Sequence, residues 1–170
     1  DNGKIMVYKR NGSNQLEYLK TVSGHSAGFN DFEWYPGMSS SIEGSDLFLT
    51  TCKDLPIQLW NCESGSLVCS WAAKDHLDQV ANCLSVAFSS DAQKIVSGGL
   101  SKLWIFDVNR SGSSGNSLIS TIQQKNSRSG QHGLISCINF RNDCTGVFTA
   151  GSFNGTIGIY DSRTLLDCNV

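Results

Sequence analysis

Apolar and polar positions alternate with period two over short stretches along most of the chain, and the stretches recur in a cycle of roughly 50 residues. Three of them run toward an aromatic: Phe29 to Pro36, Cys83 to Ser89 and Leu134 to Phe140, with Trp34, Phe88 and Phe140 as the aromatics. Each is followed by a turn and a second run, at Leu47 to Cys52, Lys94 to Gly98 and Gly146 to Gly151. A third run ends on an aromatic and a small polar residue, in Trp60-Asn61, Phe106-Asp107 and Tyr160-Asp161. A fourth follows at Leu67 to Trp71 and again at Leu118 to Ile122. Gly, Asn, Asp and Ser bound the runs, as turn residues bound strands.

Four strands per cycle, the third closing on a tryptophan-aspartate-like pair, is the pattern of a propeller blade. A β-sandwich also strings short strands at regular spacing, but it would not repeat the aromatic–acid pair at every third strand. The fold class expected is therefore all-β, a WD-repeat β-propeller. Gly3 to Arg10 reads as a third strand, with Tyr8 one cycle before Trp60, and Leu16 to Val22 as its fourth. Leu165 to Val170 begins another fourth strand. The chain divides accordingly into a half blade (1–23), two blades (24–73 and 74–123) and an incomplete blade (124–170), too few to close a ring. Without an initiator Met or a secretory pattern, its start reads as cut.

In the first whole blade, His25 precedes the first strand, Thr50 lies in the second, Asp54 in the next turn and Trp60 in the third. This set resembles the structural hydrogen-bond tetrad of WD repeats, in which Asp orients His and Ser or Thr meets the Trp indole. It suits a buried indole N–H and imidazole, both of which need partners. Phe106, Tyr160 and Asn154 break the set in the other blades.

Composition narrows the function classes. Charged residues make up 16% against 39% hydrophobic, which excludes a disordered chain. The net charge of −2 removes the electrostatic argument for a generally basic nucleic-acid binder. Seven cysteines in an odd set, without a CxxC pair or a zinc-spaced histidine, read as small core residues in a reducing compartment. Sequons at Asn11, Asn109 and Asn154 would stay unused there. No metal site, cofactor, small-molecule substrate or membrane span is expected. Gly24-His25-Ser26-Ala27-Gly28 matches the nucleophile-elbow string of hydrolases, but an extended segment follows where the elbow needs a helix. Asp75 and Asp78 read as loop charges or a turn cap. The chain is expected not to be an enzyme.

An ordered series of strings resembles the telomerase Cajal body protein family. It includes Trp34-Tyr35 with Met38-Ser39-Ser40, Pro56 to Trp60, His76-Leu77-Asp78, and Ser89 after Phe88. It continues through Gly130-Gln131, Gly133 to Ile138, Phe140, Gly151-Ser152-Phe153 and Ile157 to Tyr160. The short turn after Gly98 agrees as well. Asn61 in place of Asp and Ala92 in place of Gly depart from ordinary WD repeats. The resemblance implies a seven-bladed nuclear scaffold that catalyses no reaction. It would hold the CAB-box loop of small Cajal body RNAs and of telomerase RNA, and direct these particles to Cajal bodies and telomeres. Its partners would be box H/ACA ribonucleoprotein components and telomerase. A protein–protein adaptor on the same fold, without RNA specificity, is the alternative.

In such a propeller one face is made by the loops between strands 2 and 3 and between blades. Here those loops carry Lys53, Lys74, His76, Lys102, Lys125 and Arg128, and the lysines and arginine outnumber Asp54, Asp75 and Asp78. Phe153 is the aromatic best placed for stacking on a base. These seven residues are the expected RNA contacts.

Overall fold

The computed structural model describes residues 3–23, 28–112, 116–122, 129–143 and 145–163. Among them every regular element is a strand, and all sheets are antiparallel. The first sheet pairs β1 (Lys4–Arg10) with β2 (Leu16–Ser23). The second runs β3 (Phe29–Trp34), β4 (Leu47–Cys52), β5 (Ile57–Asn61) and β6 (Leu67–Trp71), each beside the next. The third repeats this order with β7 (Ser85–Phe88), β8 (Lys94–Gly99), β9 (Lys102–Asp107) and β10 (Ser117–Ser120). The fourth has β11 (Ile135–Phe140), β12 (Val147–Ser152) and β13 (Ile157–Asp161). The four sheets are consecutive blades of an open, partial propeller.

The blades pack face to face through the apolar set of each strand. Leu49, Ile57 and Trp71 of the second sheet interleave with Val86, Phe88, Ile95 and Phe106 of the third. Val96, Leu103 and Ile105 face Ile135, Phe140 and Phe148 of the fourth. Both faces of the third blade are thus covered, which explains the unbroken burial of Leu103 to Phe106 where one covered face would give alternation. Each buried Leu, Ile or Phe adds about 1.5–3 kcal/mol relative to exposure.

The first sheet contributes Val7 and Val22, with the half-buried Ile5, beneath Phe48, Trp60 and Cys62. Trp34 is 45% exposed, unlike Phe88 and Phe140 in the same role, which are 4% and 7% exposed. A cavity of about 390 Å³ opens beside Trp34, lined by Val7, Leu19 and Met38 among others.

The polar residue closing each third strand caps the turn after it. Asn61 Oδ1 accepts the Ser64 amide at 2.7 Å, Asp107 Oδ1 that of Asn109 at 2.9 Å and Asp161 Oδ1 that of Arg163 at 2.9 Å. The job needs a short side-chain oxygen, not a charge, so Asn61 substitutes without loss. The leading strands are locked blade to blade. Asp31 accepts the Val86 amide at 2.9 Å, Asn30 donates to the Cys83 carbonyl at 2.8 Å and Ser85 donates to the Ile135 carbonyl at 3.1 Å. These bonds occupy backbone groups that a free strand edge would expose.

Five cysteines fall within the described residues, all as free thiols. Cys52, Cys62 and Cys83 are buried and Cys69 half-buried, and burial pushes the Cys52 and Cys83 thiols up to about 11. Cys137 differs from the core expectation: it is exposed, on the open face of the fourth sheet with Asn139 and Thr149.

Candidate nucleic-acid interface

The third and fourth blades pin the chain that enters them by side-chain hydrogen bonds, whereas the bond seen in the second joins two of its own strands. In the second sheet Trp60, 6% exposed, donates its indole N–H to Thr50 Oγ1 at 3.0 Å, and Thr50 is fully buried. Asp54 lies exposed in the β4–β5 turn at φ 59, and His25 lies outside the described residues. In the third sheet Phe106 has no N–H to give. Trp104, two residues earlier, instead donates to the Lys74 carbonyl of the incoming loop at 3.1 Å.

In the fourth sheet the side chain of Gln131, 5% exposed, takes the post. Its Nε2 donates to the Ala150 carbonyl at 2.7 Å and to the Thr156 carbonyl at 3.0 Å. Its Oε1 accepts from the Tyr160 hydroxyl at 2.9 Å. Neither Trp104 nor Gln131 was among the residues singled out for a site. In the sequence Gly130-Gln131 precedes its blade's first strand as Gly24-His25 precedes that of the earlier blade, and that correspondence was the available signal.

These pins fix the loops of one face of the arc. The loop between β6 and β7 forms a tight hairpin in which Asp75 Oδ1 accepts the amides of Leu77 at 2.8 Å and Gln79 at 3.1 Å. Those two bonds hold the Asp75 carboxyl below its ordinary range, with smaller contributions from His76 and Lys102 nearby. Asp75 is therefore a turn cap. Lys74 Nζ meets Asp78 at 2.8 Å, an exposed pair worth about 0–1 kcal/mol. Lys74, His76 and Lys102 thus share one neighbourhood, while Lys53 stands exposed on the β4–β5 turn. Lys125 and Arg128 lie outside the described residues. Among the described residues of these loops, Lys53, Lys74 and Lys102 are matched by Asp54, Asp75 and Asp78, so this part of the face is electrically balanced.

The seam between the third and fourth sheets exposes three apolar side chains on this face. The two-residue turn Leu100-Ser101 joins β8 to β9, and Leu100 bridges to Leu134 of the incoming loop. Ser101 donates its amide to the Gly133 carbonyl at 2.8 Å, and the Gly133 amide returns a bond to Ser101 Oγ at 3.0 Å. The Phe153 amide donates to the Leu134 carbonyl at 3.0 Å, and Ser152 Oγ donates to the His132 carbonyl. The outcome is a rigid rim on which Leu100 is 64%, Leu134 37% and Phe153 72% exposed. Gly133 is required there: its φ is +89, and a Cβ would fall 2.9 Å from the Asn154 side chain.

Among the described residues no group of His, Cys, Asp and Glu is placed to hold a metal ion, and no helix is long and apolar enough to cross a membrane.

No protein-family model matches the chain. Its sequence is 30% identical over 156 residues to the bovine telomerase Cajal body protein 1, covering 88% of this chain and 28% of that protein. The Drosophila melanogaster homolog of that protein is 39% identical over 82 residues, covering 48% of this chain and 15% of the relative. The chain therefore spans about a quarter of the length of the bovine relative. Among solved structures, Chaetomium thermophilum Sqt1 bound to the N-terminus of the ribosomal protein L10 superposes with a TM-score of 0.70 at 18% identity. That match covers 96% of this chain and 41% of Sqt1, and it shows the propeller fold alone.

Proposed function

As a relative of the telomerase Cajal body proteins, this chain is, we propose, part of a non-enzymatic WD-repeat scaffold for nuclear ribonucleoproteins. The scaffold binds the CAB-box loop of small Cajal body RNAs and of telomerase RNA. It acts with box H/ACA ribonucleoprotein components and telomerase, and it directs the particles to Cajal bodies and telomeres. One observation carries the reading: sequence identity of about 30% to proteins of that name over most of this chain. The physical support is a loop face that carries cations and an exposed aromatic, the kinds of group that hold single-stranded RNA by phosphate contact and stacking. Lys53, Lys74, His76, Lys102 and Phe153 are the contacts proposed among the described residues, with Lys125 and Arg128 beyond them.

The test is crosslinking and sequencing of RNA bound to the intact protein in cells. Enrichment of small Cajal body RNAs or telomerase RNA at their CAB loops supports the reading. A bound set without them refutes it and favours the adaptor reading, for which Sqt1 with its bound ribosomal-protein N-terminus is the structural precedent.

A further inference from the structure

Several exposed apolar side chains lie on the two outer sheets. Met6, Tyr8 and Tyr18 are on the first, and Ile157 and Ile159, at 79% and 75% exposure, are on the last. The exposure of Leu100, Leu134 and Phe153 has a different origin. They lie at a seam between two packed blades, on the loop face, and the backbone beneath them is fully bonded. Folding leaves them bare on a rigid base.

We propose that this seam is the seat of a single unpaired nucleobase, stacked on the Phe153 ring, flanked by Leu100 and Leu134 and read at its edge by the Asn154 carboxamide. The proposal rests on the RNA reading above and says how one nucleotide is taken. Three observations favour a base over a protein side chain. First, Leu100 and Phe153 are 64% and 72% exposed, so the seam is an open platform. An anchoring side chain of a protein partner wants a pocket, whereas a base needs only an exposed aromatic face. Second, the charges beside the seam are compensated: Lys74 is paired with Asp78, and Lys102 lies near Asp75. The occupant here is accordingly the uncharged part of a nucleotide, its phosphates lying further along the rim. Third, the Asn154 carboxamide sits over Gly133 beside Phe153. A carboxamide offers both a donor and an acceptor, which is what reading a base edge requires.

The experiment is fluorescence anisotropy of the intact protein with short single-stranded oligoadenylate, oligouridylate and oligocytidylate over a range of salt. Phe153→Ala is expected to weaken binding about tenfold, and Phe153→Trp to restore it, since stacking is worth about 1–3 kcal/mol per base. Asn154→Ala is expected to narrow the affinity differences among the three oligomers. The salt dependence should stay at the parent's value in all three variants, because no phosphate contact is removed. Their melts should also match the parent's, since Phe153 and Asn154 are exposed. If Phe153→Ala binds like the parent while Lys102→Glu loses affinity, the seam assignment is overturned and the RNA reading stands. If the parent binds none of the oligomers, the RNA reading falls and the seam proposal with it.

Discussion

Tyr160 donates its hydroxyl to the side-chain oxygen of Gln131 at 2.9 Å, and so joins the third strand of the last blade to the chain that enters that blade. Gln131 is buried, and its two other bonds go to the backbone carbonyls of Ala150 and Thr156. Tyr160→Phe should therefore cost about 1–2 kcal/mol in denaturant unfolding, and Gln131→Ala about 3 kcal/mol, because groups are orphaned as well as bonds lost. The double variant should cost less than the sum, since both changes break one network. Strict additivity would show that the two residues act independently.

Ala92 adopts φ 57, in the turn where WD repeats carry glycine. The left-handed conformation costs a residue with a Cβ roughly 1 kcal/mol. Ala92→Gly should raise the midpoint of thermal unfolding by a few degrees, as about 1 kcal/mol does in a chain of this size. An unchanged or lowered midpoint would mean that the added freedom of glycine in the unfolded chain outweighs the relief.

The strand ladder was legible in the sequence because each blade face imposes a period of two. The observed limits of β4, β5, β6 and β13 coincide with the runs Leu47 to Cys52, Ile57 to Asn61, Leu67 to Trp71 and Ile157 to Asp161. The expected run Leu118 to Ile122 is observed as Ser117–Ser120, because Ile122 leaves the ladder to bridge Gly130. What periodicity does not reveal is how loops are pinned. Trp104 and Gln131 act through side-chain hydrogen bonds to backbone distant in sequence, and no local pattern announces such bonds. The Leu100–Leu134–Phe153 rim was only partly legible. Phe153 stood out as an aromatic in a turn, while its neighbours are assembled by contacts across a blade boundary.

Trp60 and Thr50 form the side-chain bond that the resemblance to WD repeats implied, and it makes a direct test of the second blade. Trp60→Ala should cost about 3–5 kcal/mol through loss of a buried aromatic. Thr50→Val, which keeps the volume and removes the acceptor, should cost about 1–2 kcal/mol. A cooperative melt near the parent's in the Trp60→Ala variant would contradict a core role for the indole.

Asp31 carries a pH dependence of definite sign. Burial between the inner strands raises its pKa above the ordinary carboxylate value, against the lowering effect of the Val86 and Phe32 amides. Glu33, on the same strand, is raised by burial and by Asp31 itself. A raised carboxyl binds protons more tightly when folded. Its contribution is most favourable below the ordinary pKa near 4 and is lost as pH rises through the folded value. Asp31→Asn keeps an oxygen for the Val86 amide and removes the charge. Its stability relative to the parent should improve as pH rises through that window and then level off. A difference independent of pH would show that Asp31 is solvated like a surface carboxylate.

Lys125 and Arg128 are the cations that would tip the loop face from balanced to basic, since the described lysines and aspartates there cancel. If both reach phosphates, reversing them should do more than weaken binding. Single-stranded RNA releases counterions in proportion to the phosphates neutralised, at roughly 0.7 in the log–log salt slope per contact. The Lys125→Glu/Arg128→Glu variant of the intact protein should therefore bind with a slope shallower by about 1.4. Phe153→Ala should lower affinity at an unchanged slope. The two variants separate the charged and stacking parts of one interface. An unchanged slope and affinity on charge reversal would remove the loop between β10 and β11 from the RNA path and leave the seam alone at that edge.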